Sequence, residues 1–303
     1  MKWLPHTSLI RIADLDRQDI DRIIMAAGQM AGARTPAISA LTGRIVATLF
    51  YEVSTRTRLS FESAALRLGA QVISVADAAT SSVAKGESLA DTVRIVSGYA
   101  DAIVLRHPQE GAAAEAAEAL AGRVPVINGG DGAGEHPTQA LTDAYTLHRH
   151  FGRLDGLTVT FVGDLRYGRT VHSLAALLGS YALAGVQLVA PEGLDAPREV
   201  TRALGGAPVT RRTSLVEAAA TTDVLYMTRI QHERLPAGTS TPHALQVDRA
   251  VLDALPASSV ILHPLPRKNE LPTLVDDDPR AIYFEQAANG VPVRMALLTH
   301  ALG

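Results

Sequence analysis

Short runs rich in β-branched residues alternate with longer helix-compatible segments along most of the chain, and this alternation restricts the fold more than any other feature. Residues 45–50, Ile-Val-Ala-Thr-Leu-Phe, read as a buried strand. Residues 71–75, 102–105 and 124–127 read as three more. Residues 60–68 between them read as a helix stopped by Gly69, and 112–121 is alanine-rich helix material. Residues 137–150 read as a helix with Pro137 in its first turn, where the missing N–H costs nothing. A second series follows 151–153, with strands at 158–162, 186–189, 224–227 and 260–262 and helices at 170–178 and 215–220. Such alternation predicts an α/β chain of parallel sheets covered by helices on both faces. Ile20, Ile23, Ile24, Ala27 and Met30 share one face of an N-terminal helix. The 303 residues suit two domains, 1–150 and 151–286. A C-terminal helix at about 287–303 is expected to pack back on the first.

Composition narrows the function classes. A hydrophobic fraction of 47% supplies ample core, and a net charge of -3 gives no general attraction to nucleic acid or to an anionic membrane. Anion binding must therefore arise from local clusters of Arg and Lys. With no cysteine, disulfides, zinc ribbons, iron–sulfur clusters and thiol nucleophiles are excluded. The same absence is compatible with a reducing cytoplasm, the compartment expected here. Residues 1–10 contain no leader-like apolar run, and no stretch approaches the ~18 apolar residues of a membrane span.

Ligands of open parallel sheets collect at the carboxyl ends of the strands, so the residues following each strand matter most. After the first come Ser54, Thr55, Arg56, Thr57 and Arg58, leading into a helix. Free N–H groups at a helix start, hydroxyls and a forked guanidinium together suit a phosphate. No Walker loop occurs. A polar loop at 77–87 carries Ser81, Ser82, Lys85 and Gly86, and a mobile loop bearing a lysine suits closure over an anion. Arg106 is read directly beyond the third strand, and His136-Pro137-Thr138-Gln139 opens the helix after the fourth. Gly163-Asp164 through Gly168-Arg169-Thr170 forms a strand–loop–helix start that lacks the glycine spacing of a dinucleotide loop. Arg229 and Gln231 follow another strand, and His263-Pro264-Leu265-Pro266-Arg267 follows the last. The prolines fix a turn whose carbonyls suit an amide or amine donor. His148-Arg149-His150 do not converge as metal ligands, and Asp276-Asp277-Asp278 reads as a solvated turn.

Together these segments resemble the aspartate/ornithine carbamoyltransferase superfamily over nearly the whole chain. Ser54 to Glu62 and His136 to Gln139 carry the superfamily pattern. Gly163 to Ser173, Met227 to Gln231 and His263 to Arg267 resemble its aspartate branch, and the cysteine typical of the ornithine branch is absent. The resemblance implies two doubly wound domains with the active site in the cleft between them. It implies transfer of the carbamoyl group of carbamoyl phosphate to L-aspartate, giving N-carbamoyl-L-aspartate and phosphate in de novo pyrimidine biosynthesis, without cofactor or metal. In that reading Ser54, Thr55, Arg56 and Thr57 hold the phosphate. Thr57, Arg106 and His136 point at the carbonyl oxygen, and Gln139 with the carbonyls of Leu265 and Pro266 holds the amino group. Arg169, Arg229 and Gln231 hold the aspartate carboxylates. Ser81 and Lys85 reach a neighbouring subunit of a homotrimer. The sequence departs from the family pattern at Val53, Val83 and Ala84. Binding of regulatory or other pathway chains stays open at this stage. So do three alternative readings: an ornithine-type acceptor, a silent binding homologue, and a dinucleotide-dependent dehydrogenase. Arg169 and Arg229 argue against the first, the retained phosphate loop against the second, and the missing glycine spacing against the third.

Overall fold

The computed structural model describes residues 6–32, 40–77, 79, 81–235 and 245–303. Residues 1–5 of the N-terminal stretch, and 78 and 80 of the polar loop, lie outside the described residues. The chain divides into two compact units, 1–145 with 289–303 and 146–288. The divisions fall within helices Pro137–Phe151 and Tyr283–Leu302.

The first unit holds strands β1 (Ile45–Phe50), β2 (Gln71–Val75), β3 (Ala102–His107) and β4 (Val126–Asp131), all parallel, in the order β2-β1-β3-β4. Its helices are α1 (Arg17–Gly32), α2 (Thr55–Arg67), α3 (Leu89–Val96), α4 (Ala112–Leu120) and the start of α5 (Pro137–Phe151). The chain leaves β1 towards β2 on one side and returns to place β3 on the other. Right-handed crossovers of opposite direction leave a crevice at the carboxyl ends of β1 and β3. Val46, Phe50 and Val104 pack with Phe61, Ala64, Ala65 and Leu68 and with Met295, Leu298, Ala301 and Leu302 of the C-terminal helix. Ala47, Leu49, Ile103 and Leu105 pack instead with Val93, Ala116 and Leu120. Alternate side chains of one strand thus enter opposite cores, as a sheet covered on both faces requires.

The second unit repeats the scheme with β5 (Thr158–Val162), β6 (Gly185–Val189), β7 (Val209–Arg211), β8 (Val224–Met227) and β9 (Val260–Leu262), again parallel, in the order β7-β6-β5-β8-β9. Helices α6 (Arg169–Leu178), α7 (Arg198–Ala203), α8 (Leu215–Ala219), α9 (Arg249–Ala254) and the start of α10 (Tyr283–Leu302) complete the chain. Its reversal lies between β5 and β8. One edge of each sheet is covered by a single parallel bridge, Leu9 on Ile127 and Ala281 on Ile261, which leaves less open edge for stray pairing.

Several boundaries differ from the sequence expectation. Helix α2 begins at Thr55, five residues before residue 60, because its first turn carries polar residues that give no apolar period. Strand β3 continues to His107, so Arg106 lies inside the strand and pairs with Phe50 of β1. Strand β7 escaped detection because its residues are exposed and show no alternation. Gly163, just past β5, takes φ 111°, and a Cβ there would stand 2.1 Å from the Thr228 carbonyl oxygen. Only glycine allows the ends of β5 and β8 to approach so closely. Gly163→Ala is expected to lower stability by about 2–4 kcal/mol in urea unfolding, combining left-handed strain with displaced backbone. Gly28→Ala, inside α1 with nothing within 4 Å, is expected to raise it by about 0.5–1 kcal/mol.

Candidate functional site

In the first unit the predicted phosphate loop occupies the turn from β1 into α2. Ser54 is the N-cap of α2, in extended conformation, and its hydroxyl caps none of the helix N–H groups. The first turn contains no acidic residue. Its N–H groups and the Ser54 hydroxyl are therefore available to an anion at the positive end of the helix. Thr57 is buried, whereas Thr55 and Arg56 are exposed. Partial desolvation draws the Arg56 pKa down, and among the described residues no carboxylate pairs with it. Behind this turn Glu62 accepts hydrogen bonds from Thr48 at 3.1 Å and Ser74 at 2.8 Å, tying α2 to β1 and β2.

Arg106 is buried beside the end of β1. Its Nη1 donates to the Gly129 carbonyl at 3.0 Å, and Nη2 stands 3.3 Å from Glu52. The β3–β4 register shifts between Leu105 and His107, where β4 carries one extra residue. Such a bulge re-aims nearby side chains. His136, also buried, precedes Pro137 at the start of α5, with Nδ1 3.4 Å from Thr138 Oγ1. Gln139 donates its amide nitrogen to Asp143 at 2.7 Å. A carboxylate can only accept, so the Gln139 carbonyl end is the one left to receive a ligand N–H.

The loop carrying Ser81 and Lys85 contains a short ordered turn. Residues Ser82–Lys85 form a 3₁₀ turn, N-capped by Ser81 at 3.3 Å and closed by Gly86 in left-handed conformation. Lys85 is exposed on it.

In the second unit Asp164 is fully buried and accepts from the N–H groups of Tyr167 at 2.9 Å and Gln231 at 3.1 Å. Gln231 also donates its side-chain amide to the Tyr167 carbonyl at 3.0 Å. Asp164 thereby joins the two loops that carry Arg169 and Arg229. Arg169, buried, is the first residue of α6. Arg229 is gripped by Glu233 four residues along, with Nη1 3.0 Å from Oε2 and Nη2 bonded to Oε1. This bidentate pair raises the Arg229 pKa and draws the Glu233 carboxyl down to about 2.

Leu265 has φ 55° and is followed by a cis peptide bond to Pro266. Among the described residues, neither of their carbonyls accepts a hydrogen bond. Arg267 lies over the Tyr283 and Phe284 rings, with Nη2 bonded to Asp276 at 2.6 Å. Asp276 therefore anchors this turn, and Asp278 binds Arg280, which corrects the reading of 276–278 as merely solvated.

The structure thus gathers the predicted residues at strand ends within each unit. Glu52, Asp143, Asp164 and Glu233 were missed as partners that orient them. Two of them left a local signal, Asp143 four residues after Gln139 and Glu233 four residues after Arg229.

Two family models match the chain. Residues 7–149 match the description "Aspartate/ornithine carbamoyltransferase, carbamoyl-P binding domain", and residues 155–301 match "Aspartate/ornithine carbamoyltransferase, Asp/Orn binding domain". The aspartate carbamoyltransferase catalytic subunit of Picrophilus torridus is 46% identical over 305 residues, covering 99% of each chain. That of Thermococcus onnurineus is 47% identical over 310 residues, covering 100% of this chain and 99% of the relative. Aspartate transcarbamoylase from Trypanosoma cruzi, solved with N-(phosphonacetyl)-L-aspartic acid, superposes with a TM-score of 0.90 at 39% identity, covering 100% of this chain and 98% of that one.

The Arg229–Glu233 pair generates a titration prediction. A Glu233 pKa of about 2 lies below the ordinary 4.5, so the pair contributes stability above about pH 4.5 and loses it as pH falls through about 2. Carboxyl-carbon NMR is expected to place the Glu233 transition near 2 and to return it towards 4.5 in Arg229→Ala.

Proposed function

The chain belongs to the aspartate/ornithine carbamoyltransferase family, and on that premise we infer that it transfers the carbamoyl group of carbamoyl phosphate to the amine of L-aspartate, releasing N-carbamoyl-L-aspartate and phosphate. One observation carries the choice of acceptor. Arg169 and Arg229 stand at the strand ends of the second unit, and Arg229 already holds a carboxylate, that of Glu233. An amino acid with a second carboxylate suits such guanidinium groups, whereas an ammonium side chain is repelled by them. The structures of the Trypanosoma cruzi enzyme with carbamoyl phosphate and aspartate, and with carbamoyl aspartate and phosphate, support the same pair of substrates.

The first unit supplies the carbamoyl-phosphate-binding domain, and the second, 151–286 in the sequence reading, supplies the aspartate-binding domain. Ser54, Thr55, Arg56 and Thr57 take the phosphate. Thr57, Arg106 and His136 donate to the carbonyl oxygen. Gln139 and the carbonyls of Leu265 and Pro266 accept from the amino group. Arg169, Arg229 and Gln231 receive the aspartate carboxylates. The neutral amine attacks the carbamoyl carbon with its lone pair, and the carbonyl π pair moves onto oxygen, where fixed donors stabilise the charge. Collapse of the tetrahedral intermediate re-forms the carbonyl and breaks the bond to the phosphate oxygen. The departing phosphate takes the proton from the amine. No protein nucleophile is required.

Ser81 and Lys85 act in a neighbouring subunit of a homotrimer in this reading, which the exposure of Lys85 supports. The designation of the relatives as catalytic subunits supports a role as the catalytic part of a larger assembly. A chain without cysteine suits a cytoplasmic enzyme.

Parallel assays with aspartate and ornithine test the acceptor, and product is expected with aspartate alone. Arg229→Ala is expected to raise the KM for aspartate by about 10–100-fold while moving that for carbamoyl phosphate little. Arg56→Ala is expected to lower kcat by about 10²–10³. Product with ornithine alone overturns the acceptor assignment. Light scattering is expected to give three times the 32.0 kDa of one chain, and a fully active monomer overturns the shared site.

A further inference from the structure

His263 and Glu270 form a buried pair within the second unit, 1% and 3% exposed. The His263 N–H donates to Gln286 Oε1 at 2.9 Å, which fixes the residue at the end of β9. The Leu265 N–H donates to His263 Nδ1 at 2.8 Å. A ring nitrogen that accepts carries no proton, so the neutral imidazole is protonated on Nε2. Nε2 lies 3.0 Å from Glu270 Oε1, which also accepts the Lys268 N–H at 2.8 Å. Burial works to raise the Glu270 pKa, but the hydrogen bonds from His263 and Lys268 outweigh it and keep the carboxyl below its ordinary range. The carboxylate therefore selects the tautomer, the tautomer makes Nδ1 an acceptor, and that acceptor holds the Leu265 peptide. Leu265 needs such a restraint, because φ 55° is rare for any residue but glycine.

We propose that His263 and Glu270 are positioning residues that aim the Leu265 and Pro266 carbonyls, and through them set the preference for a carbamoyl over an acyl phosphate donor. The inference rests on the assignment of those carbonyls to the donor's amino group. Carbamoyl phosphate and acetyl phosphate differ only by an amino group against a methyl group. A site that offers acceptors to an N–H rejects the analogue lacking it, because its polar groups are then left unpaired. That discrimination survives only while the two carbonyls keep their direction. A side chain needed merely for folding would weaken both donors alike.

The test compares kcat/KM for carbamoyl phosphate with the inhibition constant of acetyl phosphate in the full-length protein. His263→Phe removes the acceptor and is expected to cut kcat/KM for carbamoyl phosphate by about 10–100-fold while moving acetyl phosphate inhibition less than about 3-fold. His263→Asn keeps an oxygen able to accept the Leu265 N–H in an Asx turn, and is expected to retain most of the selectivity. Glu270→Gln still offers an acceptor to Nε2–H and is expected to stay near wild type, with Glu270→Ala falling towards His263→Phe. If His263→Phe does not fold, His263→Asn and Glu270→Ala decide the matter. A folded His263→Phe or Glu270→Ala whose selectivity is unchanged, or in which both donors weaken equally, overturns the proposal. A wild-type chain that transfers nothing and binds both donors equally overturns the functional reading as well, whereas an active wild type with unmoved variant ratios overturns this proposal alone.

Discussion

Each sheet reverses the direction in which its strands are added, and the candidate chemistry depends on those two reversals. After β1 the chain builds outward to β2 and then back past it to β3. After β5 it builds outward through β6 and β7 and then back to β8. Because crossovers in parallel sheets keep one hand, the connections at each reversal leave on opposite faces and open a crevice at the strand ends. Ser54 to Thr57 and Arg106 border the first crevice, and Gly163 to Arg169 with Arg229 and Gln231 border the second. The glycine at 163 is part of the same constraint, since any side chain there would collide with the Thr228 carbonyl of the facing strand end.

The cations at these positions are held before any ligand arrives. Arg106 is fixed by Glu52 and the Gly129 carbonyl, and Arg229 by both oxygens of Glu233. Long flexible side chains lose rotamer freedom on binding, so a group already ordered has less to lose. Preorganised donors also need not reorient when charge develops on a carbonyl oxygen or leaving phosphate, which is usually the largest catalytic term. Arg56, by contrast, pairs with no carboxylate among the described residues. Its position at the start of α2 leaves it to an incoming anion.

Two carboxylates each orient a neutral partner. Asp143 takes the nitrogen of the Gln139 amide and so presents its oxygen. Glu270 takes the Nε2 proton of His263 and so turns Nδ1 into an acceptor for the Leu265 N–H. In both cases a group that can only accept removes the ambiguity of one that can do either. Both devices end in carbonyl oxygens, the groups suited to an amino donor.

The sequence by itself determined the alternation of strand and helix, because buried parallel strands must be apolar runs and covering helices must carry an apolar stripe. It also determined which polar residues follow each strand, among them Ser54 to Thr57, His136, Gln139, Arg169 and Arg229. It gave the apolar period of α2 only from residue 60, since the residues of the first turn are polar and show none. It placed Arg106 just beyond β3, although pairing with β1 carries the strand through it. Only tertiary structure decided that Glu52 meets Arg106, that Asp164 joins two loops 67 residues apart, and that Glu270 sets the tautomer of His263. These partners are brought together by strand order and loop conformation, which no short window of sequence encodes, because a hydrogen bond depends on distance in space and not on separation along the chain.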